Sequence, residues 1–447
     1  MRLTFFGGTQ EVGRSCVLFE DERNRIMLDC GIKLGEKVEF PLLSDDELKR
    51  TREVVITHAH LDHSGFLPHL YSKGMQPNVY MTKPTRDLIG VLLADYYRIQ
   101  KGQICKNLAC SEIIKFPIQS KKETFFSMND VNKALERVQM LEYAETAPSP
   151  FSFELRNAGH ILGSAMVYFP KQKLLYTGDI CMRKTRILDG CERQLKAETL
   201  VIESTYGNKT DILPAFKDAA QKLAKIINET LDQGGHVLIP SFAVGRAQEV
   251  LLILDDYIRS GALQESKIYV DGMITKAMRI YRHNAIYAND DIKKRILMSE
   301  DDPFKSKRFH KPMRKDRSDV LAEPSIIVST SGMLTGGPAL HYLEKLHNDP
   351  KNTLVFVGYQ APGTLGSKIL AGERKIIVNE KELELKMRVE QIRISGHADY
   401  NELLQFIKGI EGLRRIFLIH GEKNDLKEAL ENKYEVITPR LLETYGF

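Results

Sequence analysis

From Met1 to about Ile56 apolar and polar residues alternate in short runs, "RLTFFGG", "SCVLFED", "RIMLDCG" and "EVVIT", broken by glycine and charged turns. Period-two alternation of this kind predicts β-strands. From about Lys83 to Met140 the apolar spacing changes to three and four, in "TRDLIGVLLADYYRIQKG" and "MNDVNKALERVQML". That spacing predicts helices, the second opening on Asn129 as its cap. Strands return at "FSFELRNAGH", "AMVYFP", "KLLYTGDI" and "TLVIEST". After Tyr206 a strand, a Gly-bearing loop and a helix recur several times, as in "HVLIPSFAVGRAQEVLLILDDYI" and "SIIVSTSGMLTGGPALHYLEKL". Such repetition predicts an α/β domain on a parallel sheet. The last stretch, through "MRVEQIRISGHAD" and "RRIFLIHGE", again ends strands on histidine, as the first part does. The predicted organisation is a discontinuous first domain, residues 1–206 and 381–447, interrupted by an inserted α/β domain over residues 207–380.

Composition changes this picture little. A chain of 447 residues exceeds one compact core, and 43% hydrophobic with 28% charged residues is an ordinary globular balance. The net charge of +5 is too small to identify a nucleic-acid binder by itself. The start "MRLTFFGGTQEVGRSC" lacks a signal peptide's apolar core, and no stretch is apolar enough to span a bilayer, so the expectation is a cytoplasmic protein with no membrane partner. Six cysteines without a CxxC pair read as reduced, buried thiols, Cys105 and Cys110 being nearest in sequence.

The chemistry gathers at strand ends. In "VVITHAHLDHSG" an apolar strand runs into His58, His60, Asp62 and His63, more ligands than one tetrahedral metal accepts. His58 and His60, two apart, share a direction in extended chain, while Asp62 and His63 turn toward a second point. Imidazole with carboxylate suits zinc, with manganese a weaker substitute. One loop cannot complete two sites. His160 in "NAGHILG", Asp179 in "YTGD", Asp29 in "MLDCG", Glu203 in "IEST", His397 in "SGHAD" and His420 in "IHGE" repeat the form of apolar strand followed by a polar residue. His69, farther along its helix, reads as an ordinary helical residue.

Taken together, "THAHLDH", "ESTYG", "PSFAVGRAQE", "SGHAD" and the terminal "IHGE" resemble, in this order, the metallo-β-lactamase superfamily in its β-CASP nuclease branch. That branch includes the cleavage and polyadenylation specificity factor endonuclease, its archaeal relatives and RNase J. The resemblance spans essentially the whole chain and implies an αββα sandwich with an inserted β-CASP domain. Carried over motif by motif, it implies one metal held by His58, His60 and His160, and a second held by Asp62, His63 and His420. Asp179 would bridge two zinc ions, and Asp29 would support the ligand loop. His397 resembles the branch's catalytic histidine and Glu203 its acidic partner, with Asp62 also counted as catalytic. Two such metals, about 3.5–4 Å apart, generate hydroxide near neutral pH and stabilise the oxygens that gain charge. The implied reaction is hydrolysis of RNA to 5′-phosphate and 3′-hydroxyl ends, endonucleolytic with a 5′-to-3′ exonuclease mode. A histidine at the position of His420 resembles the enzymes that act on RNA.

Gly-rich loops of the inserted domain, "SFAVGR" and "STSGMLTGGP", offer Ser241, Arg246, Ser329, Ser331 and Gly332 for RNA phosphate. The basic run "KSKRFHKPMRKDR", Lys305 to Arg317, is a second RNA contact or a solvated loop. No extension houses the KH domains of some archaeal relatives, so specificity is expected to be weak or supplied by RNA-processing or decay partners. The apolar tail "ITPRLLETYGF" either pairs with a second subunit in a homodimer or packs on its own domain. Two other readings compete: a small-molecule hydrolase of thioesters or lactams, and a non-catalytic RNA-binding subunit.

Overall fold

A computed structural model of the chain describes residues 1–35, 38–101, 125–299, 301–422 and 425–447. Cys105 and Cys110 lie outside these residues, and the other four cysteines are free and buried.

Three large sheets organise the described residues. The first orders its strands Thr444–Gly446, Arg2–Gly7, Cys16–Glu20, Arg25–Leu28, Glu53–Val55, Asn78–Met81 and Val138–Met140. The second runs Glu435–Ile437, Arg415–Ile419, Thr199–Glu203, Leu174–Tyr176, Ala165–Phe169 and Glu154–Asn157. Alternation along each strand explains how they stack. Leu3, Phe5, Val17, Phe19, Ile26 and Leu28 share one buried cluster with Val167, Phe169, Tyr176, Val201 and Phe417, whereas Leu18 and Met27 face the opposite way. Successive side chains leave a strand on opposite faces, so the first set lies between the sheets. Met166, Leu175, Leu200 and Leu418 of the second sheet pack outward against Leu403 and Phe406 of the helix Tyr400–Gly409. Helices Lys83–Gln100 and Met128–Glu136 cover the first sheet's outer face. This is the αββα sandwich that the resemblance implies.

The third sheet is wholly parallel: Phe309–His310, Ile268–Asp271, Ile326–Ser329, Val237–Pro240, Thr353–Val357 and Arg388–Ile392. Its inner strands Ile326–Ser329, Val237–Pro240 and Thr353–Val357 are buried on both faces, which is why "HVLIP" and "TLVFV" read as continuous apolar runs. Val237 and Ile239 join the cluster that backs the first sheet, so one apolar body runs from the sandwich into the inserted lobe.

Three details refine the expected organisation. Arg388–Ile392 pairs with Thr353–Val357 in the parallel sheet before the chain returns toward His397. Short strands with little apolar content, such as "RVEQI", do not disclose their sheet. The helix expected to open at Asn129 is capped two residues earlier by Ser127, whose side chain accepts from the Asp130 N–H while Asp130 reaches back to the Ser127 N–H. Of the two readings of the tail, the structure takes the second: Thr444–Gly446 pairs with Arg2–Thr4, and Phe447 stacks on Phe19.

Candidate metal centre and active site

The histidines and carboxylates singled out at strand ends gather in one cluster. Asp29 follows Leu28, His420 follows Ile419, and both take positive φ, 59° and 51°. For a residue with a Cβ that conformation costs roughly 1–2 kcal/mol. Backbone bonds hold each in place, Asp29 N–H to Val55 O at 2.9 Å and His420 N–H to Gly8 O at 2.6 Å. The ligand loop presses on Gly31, where a Cβ would lie 1.6 Å from the Asp62 carbonyl oxygen.

Asp179, 2% exposed, is the hub. Its Oδ2 lies 3.5 Å from His58 Nε2 and 3.7 Å from His160 Nε2, and its Oδ1 lies 3.3 Å from His63 Nε2 and 3.5 Å from His420 Nδ1. His60 Nδ1 is 3.2 Å from His160 Nε2, and Asp62 Oδ2 is 3.4 Å from His420 Nε2. Four groups emerge among the described residues with donor atoms within 4.8 Å of one another: His58, His60, His160 and Asp179; His58, Asp62 and His63; His63, Asp179 and His420; and Asp179, Glu203 and His397. One carboxylate oxygen of Asp179 thus serves each half of the cluster.

These residues fit a metal centre on two physical grounds. His58 Nε2, Asp179 Oδ1 and His420 Nε2 are buried without a hydrogen-bond partner, an arrangement that is costly unless a cation satisfies it. The outward nitrogens, by contrast, are engaged. His63 Nδ1–H donates to Asp29 Oδ2 at 2.7 Å, His160 Nδ1–H to the Gly396 carbonyl at 2.8 Å and His60 Nε2–H to the Val244 carbonyl at 3.3 Å. The Thr57 hydroxyl lies 3.1 Å from His58 Nδ1, and the Thr205 hydroxyl 3.1 Å from His420 Nδ1. Such bonds fix the tautomer and leave the inner lone pairs free for a metal. Burial also keeps His58 and His160 neutral, holding both well below the ordinary imidazole pKa. Burial alone would raise Asp179, but the charges of His63, His420 and His397 outweigh it and keep the carboxylate ionised.

Beside this cluster, His397 Nδ1–H donates to Glu203 Oε2 at 2.9 Å. Glu203 accepts the Ile180 N–H at 2.6 Å and the Thr205 hydroxyl at 2.5 Å, so it is held on both oxygens. Burial works against protonation of His397, yet Glu203 and Asp179 prevail and raise its pKa. A partly exposed, protonated imidazole aimed by a buried carboxylate is a proton donor in form.

The phosphate candidates divide. Arg246, first residue of the helix Arg246–Arg259, has no ion-pair or hydrogen-bond partner among the described residues, and it acts on the pKa of His397. Ser331 is partly exposed and caps Thr335 N–H. Ser241 and Ser329 are fully buried at the ends of adjacent parallel strands, so their hydroxyls do not reach solvent, a correction to the sequence reading. Gly332 backs against them, within 2.9 Å of Phe242 N for an added Cβ. In the basic run, Arg308 and Arg317 are engaged by Glu265 and Asp271, while Lys305, Lys307, Lys311 and Lys315 are exposed. His69 lies apart, stacked on Phe40.

Sequence reasoning missed Thr57, Tyr176 and Thr205, which hold Asp29 and Glu203, although each stands inside a quoted motif. It also missed the Val244 and Gly396 carbonyls, which no side-chain pattern reveals.

Residues 9–226 match the metallo-beta-lactamase superfamily, residues 247–369 the Beta-Casp domain, and residues 382–439 the Zn-dependent metallo-hydrolase RNA specificity domain. The chain is 40% identical to the transcription termination factor FttA of Methanothermobacter thermautotrophicus, over 99% of this chain and 71% of that one. It is 38% identical to an RNase J-like protein of Methanocaldococcus jannaschii, over 94% and 92%. A crystal structure of a protein of unknown function from Enterococcus faecalis V583 shares the fold, with a TM-score of 0.55 at 14% identity and 99% coverage of both chains. The order of the domains, the shared length and the clustered strand-end ligands agree: this chain belongs to the metallo-β-lactamase superfamily, in its β-CASP branch.

Proposed function

We propose that the protein is a zinc-dependent ribonuclease that hydrolyses RNA phosphodiesters to 5′-phosphate and 3′-hydroxyl ends. The observation that carries the reading is Asp179, one oxygen facing His58 and His160 and the other facing His63 and His420, beside the Glu203–His397 pair. His58, His60 and His160 would hold one zinc, Asp62, His63 and His420 the other, and Asp179 both, with manganese a substitute. When bound, the two ions would lower the pKa of water and stabilise the oxygens that gain charge. His397, aligned by Glu203, donates its proton to the 3′-oxygen that leaves phosphorus. Arg246 supplies an uncommitted cation for substrate phosphate. The relative that the chain covers over 92% of its length is named RNase J-like, which supports RNA as substrate. A compact small-molecule hydrolase would have no use for an inserted lobe whose Val244 carbonyl accepts from His60 of the cluster.

Purified protein should cut circular RNA, and a chelator should abolish the cut. Cleavage of circles requires an internal cut, whereas linear RNA that is shortened only from a 5′-monophosphate end would restrict the activity to the exonuclease mode. His397→Ala should keep its metal while losing most turnover. RNA left intact by metal-loaded wild type would defeat the reading.

A further inference from the structure

The basic run over residues 305–317 has no task in the metal centre, and the fold stretches it along a sheet edge. Phe309–His310, in its middle, lies at one edge of the parallel sheet, against Ile268–Asp271. The two ends of that sheet differ. Asp271 ends its strand in register with Ser329, Ser329 is in register with Pro240, and the loop after Pro240 carries Val244 to His60 of the cluster. The carboxyl ends of the strands therefore face the metal centre, and their amino ends face away. The run touches both. Arg317 donates to Asp271 at 2.5 Å at the near end, and the Arg308 carbonyl accepts the Ile268 N–H at 3.1 Å at the far end. Between them lies about 10 Å of extended chain.

At the far end a cavity of about 890 Å³ opens beside Lys305, Lys307 and His310. Among the described residues its four carboxylates are each taken by a cation of the wall: Asp301 by Arg259, Asp302 by Arg282, Glu265 by Arg308 at 2.9 Å and Glu323 by Lys267 at 3.0 Å. Lys305 and Lys307 are left over, exposed and with no ion pair among the described residues. Lys311 and Lys315 continue the series in the same state, and Arg314 bonds the neutral Ser318 hydroxyl at 3.3 Å. Against these five cations stand Asp316 and Asp319. Both already accept backbone N–H groups, Asp319 from Met313 and Arg314, and Asp316 from Ser318. The unpaired cations thus form a line down one sheet edge, from the side of the metal centre to the cavity.

A flexible polyanion fits such a line. A protein partner would want an apolar centre, and Met313 is the run's only exposed large apolar side chain. His310, exposed at the cavity, offers a ring face to a base, as single-strand sites do. We infer that residues 305–317 and the cavity beside them bind single-stranded RNA by its phosphates, several nucleotides away from the bond that is cut. The choice of RNA among polyanions rests on the ribonuclease reading, whereas the line of cations does not.

The test is RNA binding by fluorescence anisotropy across a range of salt, with full-length, metal-loaded protein carrying His397→Ala so that the RNA survives. Each phosphate contact on a single strand contributes about 0.7 to the slope of log affinity against log salt. With an RNA of about 16 nucleotides, Lys305→Gln with Lys307→Gln should lower that slope by about 1.4. Binding should weaken about 25-fold at about 0.1 M salt and converge with the parent toward about 1 M. An RNA of about four nucleotides, too short to reach from the centre to the cavity, should show no change. Lys408→Gln with Lys427→Gln removes the same charge from exposed positions on sandwich helices and should leave the slope where it was.

An unchanged slope in the Lys305 and Lys307 variant, or an equal loss with the short RNA, overturns the assignment. So does loss of poly-glutamate binding with RNA binding intact, which gives the surface to an acidic protein instead. Should wild type bind RNA but cut none, the ribonuclease reading fails while the track stands on its slope. Should wild type cut RNA while the variant keeps its slope, only the track fails.

Discussion

Asp29→Asn is nearly isosteric, yet it should disable the metal centre. Asp29 is fully buried and accepts the Thr57 N–H at 2.8 Å and the Thr57 hydroxyl on Oδ1, with His63 Nδ1–H at 2.7 Å and the Tyr176 hydroxyl at 2.9 Å on Oδ2. Asparagine keeps one acceptor oxygen, and it will stay with Thr57. The amide NH₂ then confronts His63 and Tyr176, two donors facing a donor. At roughly 1–3 kcal/mol for each buried group left unpaired, the metal-free protein should lose about 2–6 kcal/mol if nothing rearranges. His63 can relieve its share by moving its proton to Nε2, but that nitrogen is the one 3.3 Å from Asp179 and needed for metal. Relief in stability therefore appears as loss of affinity, about 10–100-fold for an outer partner of a ligand histidine. Thermal unfolding of chelator-stripped protein reads the first quantity, and competitive zinc titration reads the second. If both are unchanged in Asp29→Asn, the tautomer argument is refuted.

Three further outcomes are expected. Glu203→Gln removes the charge that raises His397 against the opposing effect of burial, so the alkaline limb of the pH–rate profile should move down by about 1–3 pH units, with metal content unchanged. Glu249 is buried in the lobe interface and accepts the Thr185 hydroxyl at 2.6 Å and the Arg186 N–H at 2.9 Å, and burial raises its pKa. A raised folded-state carboxylate contributes stability fully below its unfolded pKa and loses it as pH rises through the folded value. Glu249→Gln should therefore flatten the dependence of the melting temperature on pH above about pH 4, and Glu249→Ala, which leaves the donors unpaired, should lower that temperature at all pH values. Gly31→Ala places a methyl against the Asp62 carbonyl and should cost about 1–3 kcal/mol by thermal unfolding while weakening the metal half that Asp62 serves.

The sandwich and the inserted sheet were legible because nearly every strand is buried on at least one face, which prints a period-two or continuous apolar pattern on the chain. Glu435–Ile437 and Arg388–Ile392, edge strands with mixed burial, carry no such pattern, so the sequence does not disclose that the second pairs with Thr353–Val357. The residues that gather around Asp179 were legible as a group because imidazole and carboxylate recur in the sequence at the ends of apolar strands. Ser241 and Ser329 misled because a Gly-rich loop after a strand has the same letters whether its hydroxyls face solvent or the next strand.

The outward nitrogens explain why an inserted lobe belongs to the chemistry. Each ligand histidine needs its proton on the outer nitrogen, and the five acceptors or hydroxyls that arrange this come from five separate segments. Four lie in the sandwich or on the chain returning to it. The fifth, the Val244 carbonyl at 3.3 Å from His60, comes from the inserted lobe. At that length a separation of the lobes by a fraction of an ångström breaks the bond, frees the His60 ring to turn, and weakens only the half of the centre that contains His58, His60 and His160. Lobe closure and metal retention are then one equilibrium read at two places. Glu249→Ala, which loosens the interface without removing any residue of the cluster, should therefore release one metal equivalent more readily than the other.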